Sequence, residues 1–159
     1  ALRAEIKMEM QIKLSECYQN IYERSSHSVG ISMWHFEWCT KYRYKMFGKQ
    51  EYLNLITACI RRAASLHTIK IMELNVQPEH VHCAAAIPMS LSASKALQIL
   101  KGGSAYLFFQ FHERARLRYP KGHLWSRGKF GASVGFVQIE VVKNYVRNQD
   151  IRHSGNSTL

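Results

Sequence analysis

The stretch from Thr68 to Ile87, TIKIMELNVQPEHVHCAAAI, holds two short apolar runs, Thr68–Val76 and His80–Ile87, separated only by Gln77, Pro78 and Glu79. Runs of that length between turn-forming residues read as strands, and so brief a connection suits an antiparallel hairpin. Upstream, residues 50–66 place Leu53, Ile56, Ile60 and Ala64 at three- and four-residue intervals, with Arg61 and Arg62 off that stripe, as in an amphipathic helix. Before it, Ile31 to Tyr44 is rich in β-branched and aromatic residues and ends in a basic cluster, a strand running into a charged loop.

Downstream of the hairpin, Pro88 stops the second run. Ser92 or Ser94 can cap a further helix reaching roughly Tyr119, with Gly102 and Gly103 near its start or interrupting it, and Pro120 closes it. His123–Phe130 reads as a last strand, and Val137–Gln149 has helical spacing through Ile139, Val142, Tyr145 and Val146. Residues 1–24 also carry a helical apolar pattern, and the polar segment from Ser25 to Gly30 is a joint. The expected organisation is an N-terminal helical extension (1–28), a main domain (29–151) and a loose tail (152–159). The order strand, helix, strand, strand, helix, strand, helix predicts an α+β fold. It is a ferredoxin-like or RNA-recognition-like antiparallel sheet with helices on one face and an added C-terminal helix.

The chain has 22 Lys and Arg against 11 Asp and Glu, a formal charge of +11, which points to a polyanionic partner. Its 4 cysteines, Cys17, Cys39, Cys59 and Cys83, are too scattered for a C-x-x-C zinc or redox centre and read as reduced thiols. No apolar run is long enough to span a membrane, and the N-terminus lacks the apolar core of a signal peptide, so a cytoplasmic protein is expected. No Gly-rich loop suggests a nucleotide cofactor.

In the hairpin's second strand, side chains alternate between faces, so His80 and His82 point the same way and Val81 points to the core. Two imidazoles so placed can share a metal, or can be ordinary polar residues on a strand face. Tyr145 and Gln149, at i and i+4 of the last helix, set a phenol and an amide side by side. A phenol can attack phosphorus and an amide oxygen can coordinate a cation; equally, Tyr145 can close a core.

With those residues in view, the chain from about Val29 to Gln149 resembles the HUH single-tyrosine transposases of the insertion sequence 200/605 family. The resemblance rests on Trp38-Cys39-Thr40-Lys41-Tyr42-Arg43, Pro78-Glu79-His80-Val81-His82, Leu124-Trp125-Ser126-Arg127-Gly128 and Asn144-Tyr145-Val146-Arg147-Asn148-Gln149, in that order. The run Cys83-Ala84-Ala85-Ala86 is smaller than the family's usual aliphatics, Lys129 stands where an aromatic is common, and residues 1–28 have no counterpart. The resemblance implies that His80, His82 and Gln149 bind a divalent metal, Mg²⁺ or Mn²⁺, and that Tyr145 is the nucleophile. It further implies cleavage and rejoining of single-stranded DNA at hairpin-bearing element ends through a 5′-phosphotyrosine, by a homodimer in which the tyrosine helix can serve the partner.

Lys41, Arg43, Lys45, Arg61, Arg62 and Arg127, with Arg114, Arg116, Arg118 and Lys121, are the expected phosphate contacts. Tyr42, Tyr44, Tyr119 and Trp125 can stack on unpaired bases or close the core. Two other readings stand beside the transposase: a replication, mobilisation or repeat-processing HUH endonuclease, and a non-catalytic ferredoxin-like nucleic-acid-binding module.

Overall fold

The computed structural model describes residues 23–24, 29–30, 32–134 and 139–149. Its contacts divide the chain into two units, Ala1–Ile31 and Ser32–Leu159. In the first, β1 (Glu23–Arg24) pairs antiparallel with β2 (Val29–Gly30). The helix expected over residues 1–24 lies outside the described residues except for its last two, which are strand.

The second unit runs β3 (Ser32–Thr40), α1 (Gln50–Ser65), β4 (Lys70–Val76), β5 (His80–Ile87), α2 (Ala93–Phe111), β6 (Trp125–Val134) and α3 (Ile139–Arg147). The main strands pair antiparallel in the order β4-β5-β3-β6, the ferredoxin-like arrangement expected from the element order.

One face of the sheet is sealed by size complementarity across β3 and β5. Trp38 lies opposite Val81, Phe36 opposite Cys83 and Trp34 opposite Ala85, so each large ring meets a small side chain. The short residues after His82 are therefore what lets an aromatic β3 pack. Ile56, Ile60, Leu97, Leu100 and Phe108 of α1 and α2 join Phe36 and Val81 in one buried cluster. The two helices approach closely at Gly103, where a Cβ would stand 2.8 Å from that of Ala63. This glycine spares a collision, which is why it sits inside α2 without breaking it.

Several boundaries differ from the expected ones. β3 stops at Thr40, and Lys41–Arg43 forms a short 3-10 turn with Tyr42 and Arg43 at positive φ. Helix α2 ends at Phe111, where His112 leaves helical geometry, and Glu113–Leu117 continues as a separate 3-10 segment. Only Ala115 of that segment is buried, so no apolar stripe holds it as part of a longer helix. β6 begins at Trp125 and runs past Phe130 to Val134. Among the described residues, no helix is long and apolar enough to cross a membrane.

Candidate functional site

The opposite face of the same strands carries titratable groups. Glu37 of β3 pairs with His82 of β5 and Cys39 with His80, so the two-residue period brings His35, Glu37, His80 and His82 to one surface. His82 is buried at 5% exposure. Its Nδ1 stands 3.0 Å from Glu37 Oε1, and His35 Nε2 stands 3.3 Å from the same oxygen. Neither buried nitrogen meets hydrogen-bond geometry, so the Glu37 carboxylate faces both rings across short polar contacts. One donor atom from each of His35, Glu37 and His82 lies within 4.8 Å of the others, a grouping able to take a cation.

Burial sets the protonation of these rings. His82 is held down to about 4, first by loss of solvent and further by neighbouring His80 and His35, against the opposing pull of Glu37. His35 is also lowered, mainly by burial. Both are neutral imidazoles at pH 7, the form that ligates metals. His80 has its own carboxylate, with Nδ1 3.0 Å from Glu79 Oε1. A carboxylate on the Nδ1 side of His80 and of His82 orients each ring, the usual support of a metal-bound imidazole, whereas His35 meets Glu37 through Nε2.

Helix α3 lies over this face. Val146 is fully buried, and Arg147 Nη2 bonds Glu73 Oε2 of β4 at 2.9 Å. Tyr145 is 39% exposed, with its ring centre 5.7 Å from His35 and 6.2 Å from His82, edge-on to both. Gln149 is buried and donates from Nε2 to the Tyr145 carbonyl at 3.3 Å. A cleft of about 510 Å³ is lined by Glu37, His80, His82, Arg43, Lys129 and Gln149.

The structure thus brings together His80, His82 and Gln149 around one cleft, with Tyr145 beside it in the same chain. The nearby His35 and Glu37 escaped the sequence reading. Their H-x-E alternation on β3 is visible, but its bearing on H-x-H depends on the strand register, which no local pattern gives.

The expected DNA contacts are dispersed. Arg43 reaches the cleft. Arg61 and Arg62 are exposed on α1, the helix covering the other face. Lys45 shares a second hollow with Lys49, Arg114 and Arg118, and Arg127 lines a third with Arg116 and Lys101. Of the aromatics, Trp125 and Tyr119 are core residues. Trp125 is 7% exposed, with Nε1 donating to Ser104 Oγ at 3.0 Å, and burial pushes the Tyr119 phenol up to about 12. Tyr42 and Tyr44 are exposed. Of the thiols, Cys59 and Cys83 are buried, Cys39 is half-buried, and Cys17 lies outside the described residues.

A family model described as IS200-like transposase matches residues 25–149. The transposase of insertion sequence element IS200 from Salmonella typhimurium is 23% identical over 124 residues, covering 78% of this chain and 80% of its own. The ISDra2 transposase TnpA of Deinococcus radiodurans is 22% identical over 116 residues, covering 73% and 82%. Among solved structures, a candidate transposase from Deinococcus radiodurans R1 superimposes with a TM-score of 0.62 at 22% identity, over 80% of this chain and 97% of that one. A REP-associated tyrosine transposase bound to a REP hairpin does so with a TM-score of 0.58 at 15% identity, over 82% and 73%.

Proposed function

The chain belongs to the IS200-like transposase family, and from that premise we propose that it cleaves and rejoins single-stranded DNA at hairpins, with Tyr145 as nucleophile and a divalent metal at His80 and His82. The observation that supports this most is the convergence of a half-exposed phenol with two carboxylate-backed histidines on one polar sheet face. The related REP-associated tyrosine transposase was bound to a REP hairpin, and this chain's +11 charge suits a nucleic-acid partner.

In the proposed step the Tyr145 oxygen attacks phosphorus in line and the bond from phosphorus to the 3′-oxygen breaks. The phenolic proton leaves to solvent and the departing 3′-oxygen takes one up. The product is a 5′-phosphotyrosine, which conserves the phosphodiester energy, so a later 3′-hydroxyl can reverse the step and join strands. Glu37 and Glu79 orient His82 and His80, Gln149 supplies an amide oxygen, and Arg43 and Lys129 meet phosphate charge at the cleft. A bound Mg²⁺ or Mn²⁺ would supply Lewis-acid polarisation of a non-bridging phosphate oxygen.

The donor chemistry fits such an ion in two ways. In the first, His80, His82 and Gln149 ligate and Glu37 steadies His82 from behind. In the second, favoured by the close grouping of His35, Glu37 and His82, Glu37 ligates directly. Calorimetric titration with Mn²⁺ separates them. The first arrangement predicts that Gln149→Ala weakens binding and Glu37→Gln costs about 10- to 100-fold through the support it removes. The second predicts that Gln149→Ala is silent. The chemistry itself is tested with single-stranded hairpin oligonucleotides in Mg²⁺, Mn²⁺ or EDTA on denaturing gels. A metal-dependent protein-linked band that Tyr145→Phe lacks is expected, whereas tight binding with no such band in any metal favours the non-catalytic module.

A further inference from the structure

The turn that follows β3 is strained in a way its packing does not explain. Tyr42 and Arg43 are consecutive non-glycine residues at φ 62 and φ 52, the left-handed region that L side chains pay for and that Gly or Asn would occupy more cheaply. Strain of this kind persists only where surrounding structure over-determines it, and it concentrates at ligand clamps.

The surroundings do over-determine it. Thr40, fully buried, shares its single Oγ1 proton between the Tyr44 carbonyl at 2.7 Å and the Glu79 carbonyl at 3.2 Å, while its amide donates to Glu79 O at 2.8 Å. The Lys41 amide donates to Leu124 O at 2.8 Å. Glu79 is the residue whose carboxylate steadies His80, so the turn is wired to the candidate metal strand.

What this geometry presents is a ladder of rings rising out of the core. Buried Tyr119 lies 5.6 Å from Tyr44, and Tyr44 lies 5.3 Å from Tyr42, whose ring is 61% exposed. Lys41 Nζ stands 5.6 Å from the Tyr42 ring centre. The neighbouring Arg43 enters the catalytic cleft. An exposed ring gains little from burial, so core packing does not account for the conformation; a flat π-face beside a guanidinium suits an unpaired base and its phosphate.

We propose that the Lys41–Tyr44 turn is a single-strand clamp: Tyr42 stacks on an unpaired base next to the scissile phosphate while Arg43 binds a backbone phosphate in the cleft. This rests on the cleft acting on single-stranded DNA, and it makes the turn a source of the preference for single strands, since the base faces of a duplex are already stacked.

The test is fluorescence anisotropy in EDTA, where no cleavage occurs, on a single strand and a duplex of the same sequence. A companion strand carries 2-aminopurine near the cleavage position. Tyr42→Asn, which suits the left-handed backbone, is expected to weaken single-strand binding about tenfold and to abolish the 2-aminopurine quench. It should leave duplex binding unchanged and the thermal midpoint equal or higher. Tyr42→Phe restores the affinity and the quench. Arg43→Gln weakens both substrates and lowers the salt slope by about 1. Wild-type affinity and quench in Tyr42→Asn, alongside normal protein-linked DNA in metal, overturns the clamp and leaves the nuclease reading intact. An equal loss on both substrates also overturns it. Wild-type protein that binds single strands no better than duplex and forms no adduct overturns both.

Discussion

The two faces of one antiparallel sheet divide the work of this molecule. On β3 and β5, Phe36, Trp38, Val81 and Cys83 belong to an apolar core under α1 and α2, while Glu37, His80 and His82 line a cleft under α3, with His35 beside Glu37 on the same face. The alternation of a strand assigns neighbouring residues to opposite tasks, so a substitution one position away should trade loss of activity for loss of fold.

The largest contrast is expected between His82 and Phe36. His82→Ala should lower metal-dependent cleavage by roughly a thousandfold or more, measured by gel, while costing no more than about 2 kcal/mol in denaturant unfolding. Phe36→Ala should cost about 3–5 kcal/mol through the lost ring and the cavity left under the helices. If His82→Ala proves as destabilising as Phe36→Ala, the polar face is a structural core and the division fails.

A pH series sharpens the same contrast. His82 has its folded value lowered from 6.5 to about 4, so the unfolded chain takes up the proton first as the medium acidifies. The stability of the metal-free protein should be full above pH 6.5 and fall steadily toward pH 4. His82→Asn should flatten that fall, and an unchanged slope would mean that other groups carry it.

The smallest effects belong to adjacent glycines of α2. At Gly103 an alanine Cβ would stand 2.8 Å from that of Ala63, so Gly103→Ala should destabilise by about 1–3 kcal/mol. At Gly102 a Cβ meets nothing within 4 Å, so Gly102→Ala should stabilise by about 1 kcal/mol through helix propensity alone. Thermal melts of the pair measure how tightly the apolar face is assembled.

The order of the main elements was legible because each carries its own period. The hairpin at Gln77-Pro78-Glu79, the stripe of α1 and the helical spacing around Tyr145 are local signals, and they led to the observed sheet. What stayed hidden depends on distance in sequence. His35 and Glu37 matter because antiparallel register sets them beside His82, and Trp125 can lie in the core because Ser104, on another element, accepts a hydrogen bond from its indole N–H. The end of α2 at Phe111 is not marked in the sequence, because the residues after it retain helix-forming composition but have no stripe to bury. The basic residues were countable in the sequence, but only the fold separates Arg43 at the cleft from Arg61 and Arg62 on the helix covering the other face.

The most direct test is to trap the protein–DNA adduct formed in Mn²⁺ on a hairpin oligonucleotide labelled separately at each end, digest it with trypsin, and locate the linkage by mass spectrometry. The account predicts nucleotide mass on the peptide Asn144–Arg147, at Tyr145, carrying only the fragment 3′ to the cut. Linkage at another residue, or attachment of the 5′ fragment, would contradict it.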